Sequence, residues 1–248
     1  MNELWNGFRC EKFQFEGRDA IVVFPDAPAE NGKIVLKTEY WGAFPDVEIQ
    51  LLKNGYHLAY VKNRTRFATK EDCDTKAAFV KFLAAKYNLS EKCIPVGMSC
   101  GGAHAVRFAG CYPELIACMY IDAPVLNFCD FPGKWTGGSR DNIWGNEFVK
   151  AYPDIRHYQL MNFPHHPINM ADTLVANQIP IVMVYGLEDA TVIYEENGKL
   201  LEEAYGGSEL LKVIPVEARG HHPHGLISYS SVNNNTPIVQ FLLDHSRI

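Results

Sequence analysis

The run Gly97-Met98-Ser99-Cys100-Gly101 constrains the fold of this 248-residue chain more than any other sequence feature. It follows the apolar run 92–96 and precedes a helical pattern over 103–109, which together predict a strand, a sharp turn and a helix. Small residues on both sides of the serine let the strand and the helix approach closely around a strained turn. The sequence therefore predicts that Ser99 is presented outward as a nucleophile.

The rest of the chain alternates apolar runs with amphipathic stretches, an order typical of parallel strands joined by crossover helices. We predict an α/β fold with a mostly parallel central sheet and helices on both faces. At this length the chain can bury such a sheet in one domain, 1–248. The predicted strands are 18–24, 32–38, 56–61, 92–96, 117–121, 179–185 and 211–216, and the predicted helices are 45–54, 70–87, 103–109 and 236–245.

The segment 127–170 interrupts this alternation, because it is dense in glycine, proline, asparagine, histidine and tryptophan. It falls between two predicted central strands, where an insertion would lie over the carboxyl edge of the sheet. We therefore predict a lid-like insertion here. Its aromatic side chains could stack on a ligand, and we expect Trp135 and Trp144 to bind substrate.

An acid and a histidine follow the serine in the order that this type of turn requires. Asp189 comes after the predicted strand 179–185, where a carboxylate would orient the histidine, although the adjacent Glu188 stays open as the acid. Asp122, after the strand 117–121, is a further alternative, and we expect it to be a structural carboxylate instead. In the triad mechanism the histidine takes the serine proton and the carboxylate stabilises the imidazolium.

The histidine of the triad is predicted within the run 220–225, which contains three histidines. His221 directly follows Gly220 and matches the usual position, so we predict it as the base. His222 and His224 stay open as alternatives and as residues that shape the pocket. We assign His222 to substrate binding.

An oxyanion formed at the substrate carbonyl needs two donors, one of them the backbone N–H of the residue after the serine. Cys100 occupies that position, and we expect its thiol to point into the helix and take no part in catalysis. The second backbone donor is expected in the turn 38–42, from Tyr40 or Trp41, whose rings could equally be ordinary apolar packing. Glu39 in the same turn is predicted to bind substrate.

Five of the nine histidines lie in two clusters, 165–166 and 221–224, which raises the alternative of a metal site. Adjacent histidines point in different directions and no H-E-x-x-H pattern accompanies them, so we predict no metal and no cofactor.

The formal net charge of -6 argues against a nucleic-acid partner, and no apolar run reaches membrane-spanning length. We expect a cytoplasmic protein with reduced cysteines that does not bind membranes. A homodimer stays open.

Three stretches, 37–45, 120–125 and 220–224, resemble a group of small bacterial hydrolases within the α/β-hydrolase superfamily. That group is associated with prolyl-oligopeptidase-like and carbohydrate-esterase proteins, and the wider superfamily resemblance extends over essentially the whole chain. The resemblance implies Ser99, Asp189 and His221 as the triad and an ester of a sugar or small molecule as the substrate.

These observations together predict a serine carboxylesterase that works through an acyl-enzyme and removes acyl groups from carbohydrate or another small ester. A peptidase or amidase with the same triad is the first alternative. The second is a protein that keeps the fold and binds a ligand without catalysis, with the aromatic insertion as its ligand cradle.

Overall fold

The strands of the protein form one mixed sheet, seen in a computed structural model that describes residues 3–30, 32–129, 143–226 and 235–246. Among these residues the sheet has nine strands in the order β1-β2-β3-β5-β4-β6-β7-β8-β9. The pairs from β4 to β9 are parallel, whereas β1, β2 and β3 extend the sheet with antiparallel pairs. The strands are β1 Glu3–Trp5, β2 Phe8–Phe15, β3 Arg18–Val23, β4 Ile34–Lys37, β5 His57–Val61, β6 Cys93–Met98, β7 Met119–Asp122, β8 Ile181–Gly186 and β9 Leu211–Val216.

Helices cover both faces of the parallel strands, and they are α1 Asp46–Lys53, α2 Lys70–Tyr87, α3 Cys100–Cys111, α4 Ile143–Ala151, α5 Ala171–Ala176, α6 Gly198–Tyr205 and α7 Thr236–His245. Successive residues of a strand point to opposite faces, so Ile34 and Leu36 join one apolar cluster while Val35 joins the other. Strands buried on both faces need apolar side chains, which explains the apolar runs 34–36 of β4 and 93–98 of β6. None of the described helices is long and apolar enough to cross a membrane.

The predicted α/β architecture is confirmed, with a mostly parallel sheet and helices on both of its faces. The prediction omitted β1 and β2, which form antiparallel hairpins at the edge of the sheet. Their turns, Asn6-Gly7 and Glu16-Gly17, have positive φ at both residues, the geometry of tight hairpin turns. The Asn-Gly pair and the half-exposed alternation of β2 were the signals that could have revealed them.

Candidate active site

Ser99 occupies a strained turn between β6 and α3, with φ 54° and ψ -121°. The turn is held by backbone hydrogen bonds to the next strand end, because the Ser99 N–H donates to the Asp122 carbonyl at 2.9 Å. The Ser99 carbonyl accepts from the N–H groups of Gly102 at 2.9 Å and Val125 at 3.0 Å. A non-glycine residue keeps a positive φ only where its surroundings enforce it, so the fold fixes the position of this hydroxyl.

Gly97 explains why small residues flank the serine. A Cβ at Gly97 would lie 2.2 Å from the Gly101 carbonyl oxygen and 2.6 Å from Thr38 Oγ1. Backbone that is this close cannot yield without moving β6 and α3 apart.

Replacement of Gly97 by alanine is therefore expected to lower the free energy of unfolding by about 1–3 kcal/mol, as overpacking does. Urea denaturation followed by circular dichroism measures the change. Gly220→Ala is the matched control, because a Cβ there meets only the Glu188 carbonyl oxygen at 3.7 Å. Equal midpoints for Gly97→Ala and the unchanged protein would contradict the steric explanation.

The structure brings Ser99, His221 and Asp189 into one hydrogen-bonded chain. His221 Nε2 lies 3.1 Å from Ser99 Oγ, and His221 Nδ1 lies 2.8 Å from Asp189 Oδ2. The other carboxylate oxygen of Asp189 accepts the N–H groups of Thr191 at 2.8 Å and Val192 at 2.9 Å. These bonds aim the carboxylate at the imidazole, which in turn faces the hydroxyl.

The electrostatics of Asp189 favour its ionised form. Burial opposes ionisation, but the hydrogen bonds from His221 and from the Val192 and Thr191 N–H groups outweigh it and lower the pKa of the carboxyl. Glu188, the alternative acid, is exposed to solvent on the same loop. Asp189, and not Glu188, is therefore the carboxylate next to His221.

Asp122, the other alternative acid, pairs with a different histidine. His224 Nδ1 lies 3.0 Å from Asp122 Oδ1, and Arg219 binds both carboxylate oxygens at 2.8 and 3.2 Å. Tyr120 Oη and the Gly225 N–H also donate to this buried carboxylate, at 2.9 and 2.7 Å. The structural role expected for Asp122 agrees with these contacts.

A cavity of about 340 Å³ opens in front of Ser99. Polar groups from several loops meet apolar side chains in its wall, which is the usual composition of a small-molecule site. His222, predicted to bind substrate, lies in this wall. The lining residues are Tyr40, Ala43, Phe44, Arg66, Met98, Ser99, Thr191, His221, His222 and His224.

Of the expected oxyanion donors, Cys100 directly follows Ser99 and Tyr40 lines the same cavity, but the Tyr40 backbone group differs from the prediction. Cys100 is the first residue of α3, so its N–H is one of the open donors of the first helical turn. The Tyr40 N–H instead donates to its neighbour Glu39 Oε1 at 3.2 Å, which corrects the expectation of a free backbone donor there. The phenol of Tyr40 lines the cavity and hydrogen-bonds to the Cys100 and Arg66 side chains.

The pKa values of Cys100 and Tyr40 distinguish the roles that these two side chains can take. Burial raises the pKa of the Cys100 thiol to about 12, so the thiol stays protonated and is no nucleophile. Burial and the neighbouring Cys100 also raise the pKa of the Tyr40 phenol. Tyr40 therefore offers a neutral O–H donor.

Among the residues that the structure describes, neither Trp41 nor Glu39 lines the cavity. The Trp41 ring packs between Trp5 and Tyr60, with centroid separations of 5.2 and 5.5 Å. This is the ordinary apolar packing that the sequence analysis gave as the alternative for this ring. The Glu39 carboxylate accepts hydrogen bonds from the Tyr40 N–H and from Asn63 Nδ2. These bonds tie Glu39 to its own turn and to Asn63, and its expected contact with substrate stays a prediction.

The described part of the insertion reaches the cavity through an ion pair. Arg66, which lines the cavity, binds the Glu147 carboxylate on α4 through two nitrogen atoms, Nε at 2.7 Å and Nη2. The Tyr152 hydroxyl donates to the Phe67 carbonyl at 3.0 Å. Trp135 lies outside the described residues, as does the side chain of Trp144, so their expected contacts with substrate stay predictions.

Arg66, Phe44 and Thr191 line the cavity but were not singled out in the sequence. Phe44 and Thr191 lie close in sequence to the predicted oxyanion turn and the acid, so proximity could have found them. Arg66 carries no motif, because only the folded chain brings it to Ser99.

The histidine clusters have other contacts within the described part of the chain. No group of three or more His, Cys, Asp or Glu residues there could hold a metal ion. His166 Nδ1 accepts the Phe128 N–H at 3.0 Å, and its Nε2 lies 2.8 Å from the Leu160 carbonyl oxygen. Both ring nitrogens of His166 are therefore used within the insertion.

Several solved structures resemble the chain, although no protein-family model and no curated protein matches it. The dipeptidyl peptidase 4 of Porphyromonas gingivalis has a TM-score of 0.67 and 16% identity, covering 96% of this chain and 36% of that one. The acylaminoacyl peptidase of Pyrococcus horikoshii has a TM-score of 0.63 and 16% identity, covering 86% and 37%. A puromycin-hydrolyzing peptidase of Mycobacterium tuberculosis has a TM-score of 0.64 and 12% identity, covering 87% and 36%.

The chain thus spans little more than a third of the length of these three structures, and its likeness to them concerns the fold. The same fold follows from the order of β4 to β9 and from the turn at Ser99 that joins β6 to α3. This chain has the α/β-hydrolase fold.

Proposed function

We propose that this protein is a serine hydrolase that cleaves a carboxylic ester, of an acylated carbohydrate or another small alcohol, through an acyl-enzyme on Ser99. The observation that carries the proposal is the hydrogen-bonded chain from Ser99 Oγ through His221 to Asp189, at 3.1 and 2.8 Å. A hydroxyl becomes a competent nucleophile when an oriented base can take its proton, and this chain supplies both the base and the group that orients it.

In the proposed reaction Ser99 is the nucleophile, His221 is first the base and then the acid, and Asp189 orients His221. Ser99 Oγ attacks the ester carbonyl while His221 Nε2 takes its proton, and His221 then gives that proton to the leaving alcohol. Water then loses a proton to His221 and attacks the acyl-enzyme, and His221 returns that proton to Ser99 Oγ as the acid leaves. Asp189 stays ionised throughout and stabilises the imidazolium.

The oxyanion is proposed to bind the Cys100 N–H and the Tyr40 hydroxyl. Tyr40 lines the same cavity as Ser99, and Cys100 follows Ser99 as the first residue of α3, whereas the Tyr40 N–H already donates to Glu39. Donors fixed before the reaction stabilise the developing charge without reorganising.

Tyr40→Phe removes that hydroxyl and keeps the ring, so we expect kcat to fall by about 10²–10³-fold, the cost of one oxyanion donor. Steady-state hydrolysis of p-nitrophenyl acetate measures it. Tyr60→Phe serves as the control, because Tyr60 packs against Trp41 and is absent from the described cavity wall. An unchanged kcat in Tyr40→Phe would mean that another group is the second donor.

The proposal as a whole is tested by activity and by labelling. Purified protein is expected to hydrolyse short-chain p-nitrophenyl esters and to release acetate from partially acetylated sugars. A fluorophosphonate should label Ser99, because labelling requires an activated hydroxyl. No labelling and no hydrolysis would favour the ligand-binding alternative.

Cleavage of an amide or peptide is the second candidate. It is favoured by the fold likeness to proteins named as peptidases, among them the acylaminoacyl peptidase of Pyrococcus horikoshii. The same triad serves both reactions, but an amine leaving group depends more strongly on protonation by His221. Aminoacyl p-nitroanilides tested beside acetylated sugars separate the two: a higher kcat/KM for the anilides than for the sugar acetates would replace the ester proposal.

A further inference from the structure

From the cavity beside the triad we infer that His224 binds the alcohol part of the substrate, accepting a hydrogen bond at Nε2 from a hydroxyl that neighbours the ester oxygen. The inference rests on the proposed function and narrows its substrate class to esters of vicinal diols, as in partly acylated sugars or polyols. His224 would be a residue that positions substrate, and His221 remains the base.

The first observation is the support behind His224. Its Nδ1 lies 3.0 Å from Asp122 Oδ1, and this carboxylate is fully buried. Arg219 binds both of its oxygens, and the Gly225 N–H and Tyr120 Oη fill its remaining acceptor positions. A ring held by such a network has one orientation and loses little freedom when it binds a ligand.

The same network fixes the tautomer of the neutral ring. An ionised carboxylate only accepts hydrogen bonds, so His224 Nδ1 must carry the proton that it donates to Asp122. Burial opposes ionisation of Asp122, but His224 and Arg219 outweigh it and lower the pKa of the carboxyl. In the neutral imidazole, Nε2 is then an acceptor, and no hydrogen bond to Nε2 is found among the described residues.

The second observation is that His224 faces the cavity beside the base. His224 lines the same cavity as Ser99 and His221, and its ring centroid lies 5.1 Å from that of His221. Because His221 hands its proton to the leaving alcohol, the groups next to it face the alcohol and not the acyl chain. An acceptor at His224 Nε2 therefore meets a donor on the alcohol side.

The third observation concerns the wall around His224. Phe44 stacks on His222 with a centroid distance of 5.8 Å and an interplanar angle of 14°. Phe44 also meets the His224 ring edge-on at 5.2 Å. Flat aromatic surface beside one acceptor suits the apolar face and the hydroxyl edge of a sugar or polyol better than a plain alkyl chain.

The other titratable groups around His224 leave its Nε2 as an acceptor. Asp122 meets His224 at Nδ1 and is itself paired with Arg219, while His221 and His222 meet the His224 ring edge-on. Burial lowers the pKa of His222, which favours its neutral form.

The test compares two acetate esters of nearly the same shape, 2-hydroxyethyl acetate and propyl acetate, in which a hydroxyl replaces a methyl group. The unchanged protein is expected to show a kcat/KM about tenfold higher for the hydroxy ester, the value of one neutral hydrogen bond. In His224→Asn this preference should fall to about one, because asparagine can still donate to Asp122 but has no atom at the Nε2 position. His224→Gln, whose longer amide reaches toward that position, should recover part of the preference.

His245→Asn, the same substitution on α7, is the control and should keep the preference of the unchanged protein. The inference fails if the unchanged protein shows no preference for the hydroxy ester. This outcome does not depend on whether any variant folds. It also fails if His224→Asn keeps the preference. If the unchanged protein hydrolyses neither ester and a fluorophosphonate does not label Ser99, the proposed function fails as well, which separates the two failures.

Discussion

Ser99→Ala is expected to lower kcat for p-nitrophenyl acetate by about 10⁴–10⁶-fold, the loss that follows when the nucleophile of a triad is removed. The loss should be this large because no nearby group can take over: the neighbouring Cys100 thiol is 1% exposed and its pKa is raised to about 12. KM is expected to change little, since the methyl group of alanine leaves the cavity wall intact.

Ser90→Ala is the matched control, because Ser90 Oγ accepts the Lys92 N–H in a turn before β6 and lies outside the described cavity wall. Its kcat should equal that of the unchanged protein, and both variants should unfold at similar urea concentrations. Full activity in Ser99→Ala would disprove the assignment of the nucleophile, whatever the stability of the variant.

The turn at Ser99 was predictable because its physical requirement is local. A strand, a sharp turn and a helix must pack within a few residues, and the requirement appears directly as Gly97 and Gly101 around the serine. The positions of Asp189 and His221 followed from chain order, because each comes after a strand whose carboxyl end lies at the same edge of the sheet. The parallel strands themselves were visible as apolar runs.

The side-chain pairings across the site were not predictable. Nothing in the sequence shows that Asp122 pairs with His224, about a hundred positions away, or that the Tyr40 N–H is taken by Glu39. Arg66 meets Glu147 only because α4 packs beside the cavity. Such contacts depend on rotamers and loop paths, which the pattern of apolar and polar residues does not determine.

Asp189→Asn and Asp122→Asn are expected to fail in different ways, and the contrast decides which carboxylate serves catalysis. Asp189→Asn should lower kcat by about 10⁴-fold, because an amide facing His221 Nδ1 favours the wrong tautomer. Its free energy of unfolding should change much less. Steady-state kinetics on p-nitrophenyl acetate and urea denaturation at neutral pH measure the two effects.

Asp122→Asn should instead lower the free energy of unfolding by about 3–5 kcal/mol, because it leaves the fully buried Arg219 guanidinium without its counter-charge. The folded fraction of Asp122→Asn should keep far more activity than Asp189→Asn. The hydrogen bonds from Ser99 to His221 and from His221 to Asp189 do not include the Asp122 side chain. A 10⁴-fold loss of kcat in folded Asp122→Asn, with Asp189→Asn active, would reverse the assignment.

The dependence of stability on pH gives the contrast a second, independent measure. Because the pKa of Asp122 is lower in the folded chain than in the unfolded one, its ionised form contributes stability above the ordinary carboxyl pKa of about 3.9. That contribution is lost as the pH falls through the lower folded pKa, while Arg219 stays charged throughout. The difference in unfolding free energy between the unchanged protein and Asp122→Asn should therefore be full at pH 7 and shrink below about pH 4. A difference that stayed constant into acid would mean that packing, and not the ion pair with Arg219, accounts for the destabilisation.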